Sequence, residues 1–308
     1  MHTTAIVLEE PKRLSIRRVD LVTPADDDVV VQVEVSGIST GTERLLWDGR
    51  MPAFPGMGYP LVPGYEAVGR VVDAGRLATA RVGERVFAPG SSNFIDARGL
   101  FGGAARTLVT RADRVSRLPE GASVQEAALL SLAATAHHAL SGGRSPDLVV
   151  GAGVLGRLIA RTAVALGHPA PTLWETNPAR MGEGAIHPDA DPRRDHAAIY
   201  DCSGDGDLLD VLVGRLARGG EIVLAGFYEH RLSFAFPPAF MKEARLRIAA
   251  EFTPADVAAM TALIEAGRLS LAGLITHARP VAEAEDAYAQ AFEDPSCLKM
   301  ILDWRDCP

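Results

Sequence analysis

The stretch "LVVGAGVLGRLIARTAVALG", residues 148–167, sets three glycines at fixed offsets between a short apolar run and a helical apolar pattern. Gly151, Gly153 and Gly156 make G-x-G-x-x-G directly after Leu148–Val150, the context in which that spacing has a purpose. Gly151 permits a tight turn. Gly153 lets a pyrophosphate approach main-chain N–H groups, and Gly156 lets helix and strand pack closely. Val154 and Leu155 open the helix whose N-terminus would face the phosphates. A second short strand in "TLWETNPAR" (172–180) ends at Glu175, whose carboxylate can accept ribose hydroxyls and repel a 2′-phosphate. The expected cofactor is therefore NAD. Arg180 carries an opposite signal, since it could neutralise that phosphate, or it could flank the adenine.

Outward from this loop, strand and helix signals alternate through "HAAIYDCSG", "LLDVLVGRLARGG" and "EIVLAGF". Strands separated by helices of this length predict right-handed crossovers and a doubly wound parallel sheet, placed at residues 123–259. Ser123, with Glu126 three residues on, predicts a capping box at its first helix. Ligands in such sheets sit beyond the carboxyl ends of the strands. Ser203, Gly204, Gly226 and Phe227 are thus candidates to line the nicotinamide-ribose side.

Residues 1–122 read differently. Ile6–Leu8, Ser15–Val19, Val29–Val35, Ala67–Val72, Arg85–Phe87 and Ala105–Val109 are short β-like runs closed by Gly, Pro or Asp. A mostly β domain is expected there. Residues 260–308 end in a helix and a strand that could return to it. "TGTERLLWDGRMPAFPGMGYPLVPG" (40–64) opens with one helical turn and then becomes rich in Gly, Pro and Met. Trp47, Met51, Phe54, Met57 and Tyr59 make it a structured wall rather than a linker.

Bulk composition excludes several functions. The 308 residues carry 31 Lys+Arg against 39 Asp+Glu, a net charge of −8. That balance gives no footprint for nucleic acid and leaves room only for transient membrane association. Three scattered cysteines support neither a disulfide framework nor a thiolate metal site. No apolar run reaches the roughly 18–20 residues of a membrane span, and no secretion signal opens the chain, so a cytoplasmic location is expected.

Read together, "SGISTGTE" (36–43), "VPGYEAVGRVVDAG" (62–75), "VGERVF" (82–87) and the glycine loop resemble the medium-chain, alcohol-dehydrogenase-like reductases over nearly the whole chain. Within them, residues 37–69 look most like the hydroxyethyl bacteriochlorophyllide dehydrogenases. The resemblance implies a GroES-like catalytic domain split around a Rossmann domain. It also implies oxidation of a 3-(1-hydroxyethyl) group to 3-acetyl, with hydride passing to NAD. Zinc-dependent relatives carry a metal-binding cysteine where this chain has Thr40, and a histidine where it has Tyr65. The third ligand position falls on Ser131. Hydroxyls and a phenol are poor zinc ligands, so no metal is expected. The other readings are a quinone- or enone-type reductase of the same superfamily and a non-catalytic tetrapyrrole-binding protein.

Without zinc, other groups must take the alcohol proton and meet charge on the oxygen. Thr42 matches the proton-relaying hydroxyl of zinc-dependent relatives, or caps the helix at "GTERLL". Tyr65 stands where a ligand once was. Glu66 is a general base or an acceptor for a nearby donor, and Thr40 lies beside them. His137 and His138 are adjacent on a helix and so cannot form a facing pair. The wall around Trp47, Met51, Phe54 and Tyr59, with Phe234 and Phe236 of "FYEHRLSFAFPPAF" (227–240), would hold a flat apolar tetrapyrrole. The phenylalanines could instead form the interface of a homodimer.

Overall fold

A computed structural model of the chain describes residues 1–53 and 55–307; Phe54 of the expected wall lies outside the described residues. Contacts divide the chain into two compact units, Met1–Ser131 with Ala272–Pro308, and Leu132–Leu271.

The first unit is mostly β, and each of its six expected strands coincides with an observed one. The long strand Asp28–Ile38 is central, because nearly every side chain along it is buried. It pairs antiparallel with Ala67–Ala74, Thr107–Arg111 and Met300–Asp303 within a seven-stranded sheet. The last of these is the expected returning strand, set in register with Met300 opposite Ile38 and Asp303 opposite Val35. A four-stranded sheet runs in the order Arg13–Asp20, His2–Glu10, Leu61–Val62, Arg98–Gly99. Short Thr42–Asp48 is helical, and its cap is Gly41 with no side-chain hydrogen bond. Thr42 is therefore the first helical residue and not the cap.

The second unit is a five-stranded parallel sheet in the order Thr172–Trp174, Leu148–Val150, His196–Asp201, Leu216–Leu224, Arg245–Ile248. The order reverses at Leu148–Val150, so the glycine loop leaves the sheet at its switch point. Helix Val154–Ala165 buries Val154, Leu158, Ile159, Thr162 and Ala163, one face at the helical period. Ser123 falls in the first unit, since the second begins at Leu132 and not at residue 123, and its hydroxyl accepts from the Glu126 N–H at 3.3 Å, one of the two bonds of the expected capping box.

Two further boundaries differ from expectation. The strand Leu216–Leu224 starts inside the run "LLDVLVGRLARGG", because the helix stops at Arg215 and Leu216 already pairs with His196. The second unit also runs past residue 259. Helix Pro254–Glu265 packs on it through Met260 and Asp256, the latter bonded to His137 and His138.

Candidate active site

The glycine loop is the candidate cofactor site of the second unit. Gly151 has φ +93°, a conformation that side chains rarely adopt, and its N–H donates to the Trp174 carbonyl at 2.9 Å. A Cβ on Gly156 would fall 1.9 Å from the Gly151 carbonyl oxygen, so only glycine lets helix and strand approach this closely. At Gly153, the residue before the first helical turn, a Cβ would meet nothing within 4 Å. Open space in front of a helix N-terminus fits a pyrophosphate. Val154 is buried and Leu155 half-buried in that first turn.

Glu175 is buried beside this loop. One carboxylate oxygen accepts from Ala152 N–H at 3.0 Å; the other accepts from Thr176 and Asn177 N–H, each at 2.8 Å. A carboxylate has about four acceptor sites, so these three donors leave room for about one ribose hydroxyl in this rotamer. Arg157, which the motif reading overlooked, lies under the loop. Its Nε donates to the Ala152 carbonyl at 2.8 Å, and its guanidinium reaches Glu183 and the Arg180 carbonyl at 2.8 and 2.6 Å. The Arg180 main chain is thus tied to the loop, while its side chain is half-exposed.

Across the switch point, Ser203 donates its N–H and hydroxyl to Asp201, and Tyr228 donates its hydroxyl to the other Asp201 oxygen. Gly226 is held by its N–H to the Asp201 carbonyl at 2.9 Å, and a Cβ on it would lie 2.9 Å from Gly204 N. Phe227 follows, 38% exposed. Cys202 beside them is no reactive thiol, because burial and the Asp201 charge push it up.

In the first unit, the turn Ser39–Gly41 and the loop Gly64–Glu66 bring hydroxyls and carboxylates together. Tyr65 donates its phenol proton to Ser39 Oγ at 2.6 Å, and Phe101 packs edge-on against the ring. Burial pushes the phenol well above its ordinary range, Glu66 and Glu43 add to this, and hydrogen bonds to Ser39 and Thr42 oppose it. Tyr65 is therefore a proton donor at neutral pH and a poor base. Thr40 is half-buried in the same turn.

Glu66 is engaged as the acceptor for a buried donor, the second of its two expected roles. Both of its oxygens accept from Lys299 Nζ, at 2.8 and 2.7 Å, with the two side chains 0% and 1% exposed. Gly37 must be glycine beside it, since a Cβ would sit 2.0 Å from Glu66 Oε2. Glu43 is the carboxylate the sequence reading missed. It is 1% exposed, accepts from Ser39 N–H at 2.9 Å and from the Tyr288 hydroxyl at 3.0 Å, and forms no ion pair among the described residues. Desolvation pushes its carboxyl up to about 7.

These donors do not fit zinc. Ser39, Thr40 and Tyr65 offer hydroxyls and a phenol held protonated, and Glu66 is occupied by Lys299. Among the described residues, no group of three or more His, Cys, Asp or Glu side chains is arranged to hold a metal ion.

The expected apolar wall is largely satellite core. Trp47 stacks on Tyr288 and Phe292, with ring centroids 6.2 and 6.1 Å apart. Met51, Met57 and Tyr59 pack on Leu8, Leu46, Leu61 and Leu100, and the Tyr59 hydroxyl donates to the Leu46 carbonyl. Phe234 and Phe236 line a groove of about 340 Å³ with Phe240, Met241 and Leu246 on the second unit. The two histidines form no facing pair, as adjacent helical positions imply, and they share a partner that the sequence did not mark. Their rings do not face each other, but both Nδ1 atoms reach one carboxylate, Asp256, at 2.6 and 3.0 Å. A third element can bridge rings that helix geometry splays apart.

Residues 25–120 match the alcohol dehydrogenase GroES-like domain. Over 313 residues the chain is 58% identical to the 2-desacetyl-2-hydroxyethyl bacteriochlorophyllide A dehydrogenase of Rhodobacter capsulatus, covering 99% of each. The enzyme of the same name from Cereibacter sphaeroides is 57% identical, again over 99% of each chain. Among solved structures, an Escherichia coli alcohol dehydrogenase complexed with NADH is similar with a TM-score of 0.84 at 21% identity, covering 98% of this chain and 99% of that one. A Sinorhizobium meliloti dehydrogenase bound to NADP gives 0.82 at 19% identity over the same shares. At these identities the likeness is one of fold.

The state of Glu43 has a measurable consequence. The unfolded chain releases this proton near the ordinary carboxyl value of 4.5, whereas the folded chain holds it to about 7. Stability from this group is thus present below pH 4.5 and lost as pH rises towards 7, by about 3 kcal/mol. Glu43→Gln removes the titration, so its Tm should exceed that of the parent at pH 8 by clearly more than at pH 5. Parallel Tm profiles for the two proteins would refute the shift.

Proposed function

This chain belongs to the medium-chain alcohol dehydrogenase family that includes the 2-desacetyl-2-hydroxyethyl bacteriochlorophyllide A dehydrogenases, and from that premise we propose that it oxidises the 1-hydroxyethyl side chain of a bacteriochlorophyllide to acetyl, using NAD and no zinc. The observation that carries this reading is the match with the Rhodobacter capsulatus enzyme along essentially the full length of both chains. The hydroxyl cluster around Tyr65 supports the metal-free part, because it lacks any good zinc donor.

When bound, the nicotinamide ring supplies the hydride acceptor. The chain's own residues handle the oxygen and the proton. Tyr65 swings its one phenol proton from Ser39 Oγ to the substrate oxygen as charge develops there. Thr42, hydrogen-bonded to the phenol and half-exposed at the helix start, passes the alcohol proton to water. Ser39 holds the phenol in place through its Oγ. Thr40 lines the same turn. Trp47, Met51 and Tyr59 act as a wall whose inner faces are fixed by the core, which suits a rigid, flat ligand better than a small flexible one. The reaction takes place in the cytoplasm, where free nicotinamide dinucleotide is found.

Purified protein should oxidise the hydroxyethyl pigment with NAD far faster than simple secondary alcohols, which lack the apolar contact area. That activity should survive a strong chelator. Equal efficiency on a small alcohol would remove the pigment assignment, and loss of turnover in step with one bound zinc would remove the metal-free one.

Glu175 is the proposed source of NAD preference. Glu175→Ala should lower the ratio of kcat/KM for NAD over NADP by roughly tenfold, through lost ribose contact and lost repulsion of the 2′-phosphate. Equal use of both cofactors by the parent would show that Arg180 governs the site.

Phe234 and Phe236 belong to a subunit interface in this reading rather than to the substrate wall. Phe236, Phe240 and Ile248, at 68%, 64% and 76% exposure, surround the strand Arg245–Ile248. That strand ends the sheet with one edge unpaired among the described residues, and it is separated from the glycine-loop strand by two others. Exposed apolar edges of this kind favour pairing with a second copy. Light scattering should give a dimer mass for the parent and a monomer for Ile248→Lys; a monomeric parent would overturn the proposal.

A further inference from the structure

Asp201 closes the strand His196–Asp201 and is 0% exposed. Its two oxygens accept three hydrogen bonds, from Ser203 N–H at 2.9 Å, Ser203 Oγ at 2.6 Å and the Tyr228 hydroxyl at 2.9 Å. Donors aimed at both oxygens are the pattern of an ionised carboxylate. All three donors are neutral. No Lys, Arg or His among the described residues forms an ion pair with Asp201, and its charged neighbour, Asp205, has the same sign. Desolvation accordingly pushes the carboxyl up, against the pull of Ser203 and Tyr228. The other buried carboxylates of this unit differ: Glu175 is met by three main-chain N–H groups, Asp256 by two histidines, and Asp191 by the Trp174 indole, the Arg193 N–H and His196. Asp201 is an anion without a cation.

Its position says which cation is missing. The turns after three adjacent strands meet at Asp201. A Cβ on Gly151 would lie 3.3 Å from the Ser203 main chain, and one on Gly226 would lie 2.9 Å from Gly204 N. The Asp201 carbonyl itself accepts from Ala225 and Gly226 N–H, each at 2.9 Å. Glu175 marks the adenosine side of the glycine loop, at the end of the strand on its other flank. A dinucleotide laid across the switch point therefore extends its nicotinamide half over Ser203, Gly204 and Gly226, above Asp201. The ring carries a positive charge when oxidised and none when reduced.

Resting on the nicotinamide reading of the glycine loop, we infer that Asp201, held by Ser203 and Tyr228, is a positioning residue whose negative charge makes the site prefer the oxidised over the reduced cofactor. Two opposite charges about 10 Å apart at an effective dielectric of about 20 account for a preference of roughly tenfold. Such a preference suits an enzyme that must load the oxidised form and shed the reduced one in every turnover.

Calorimetric titration of the full chain with NAD⁺ and with NADH, separately, tests this without turnover. Asp201→Asn should weaken NAD⁺ binding roughly tenfold and change NADH binding by less than about twofold. Tyr228→Lys brings a cation to Asp201 without altering it and should collapse the ratio in the same way. Tyr228→Phe keeps the charge and should keep the ratio. Equal losses for both cofactor forms, or an unchanged ratio in Asp201→Asn and Tyr228→Lys, would reduce Asp201 to a structural role and overturn the inference. A parent protein that binds neither form would instead overturn the cofactor reading beneath it.

Discussion

The pairing of Lys299 with Glu66 constrains the first unit more than any other contact. Taking two charges out of water costs several kcal/mol per ion, and the cost is offset only by close geometry. Here both carboxylate oxygens lie within 2.8 Å of one ammonium. Removing either partner would leave the other charged and buried. The pair therefore fixes the residue before strand Met300–Asp303 against the loop that carries Tyr65. It also leaves no volume for a side chain at residue 37, where a Cβ would strike Glu66. The main chain follows: Gly37 N–H donates to the Glu66 carbonyl at 2.9 Å, which sets the spacing between Ser39 and Tyr65.

Four buried carboxylates show how partners decide the role of one functional group. Glu66 is pushed up by desolvation, and the cation at contact distance opposes that push. Asp256 has two histidines and the Thr253 cap, and these hold it at about 2 despite burial. Glu175 is met by main-chain N–H groups, so it shapes the glycine loop as well as facing the ribose position. Glu43 has two neutral donors and lies near Glu66, so desolvation wins and it sits near neutrality in pKa. Burial alone would have predicted the same behaviour for all four.

The glycine loop was legible because its causes are local. A strand, a turn with positive φ and a close-packed helix all fall within residues 148–167, and Glu175 ends the next strand. The short β runs of the first unit were legible for the same reason. What the sequence concealed was contact across the chain. Lys299 lies in "CLKM" with nothing nearby to mark it, and its partner is 233 residues away. Ser39 and Glu43 sat inside a quoted motif, but their importance comes from Tyr65 and Tyr288 folding onto them. Trp47, Met51 and Tyr59 looked like an open wall because aromatic content does not say which face the core has taken. The shared partner of His137 and His138 was hidden because a helix wheel knows nothing of Asp256.

The alcohol oxygen of the proposed reaction must carry partial negative charge beside two carboxylates, and left ionised they would oppose it. Each is weakened by a different means. Lys299 pairs with Glu66 at contact distance, while desolvation raises the Glu43 carboxyl to about 7, so that about half of it keeps its proton at neutral pH. The phenol of Tyr65 then faces the oxygen with its proton firmly held, since the same burial that makes it a poor base makes it a dependable donor. A metal in that place would supply positive charge directly. In the proposed metal-free reaction the balance comes instead from weakening negative charge, and the ion pair that ties the residue before strand Met300–Asp303 to Glu66 is the contact on which that proposal leans.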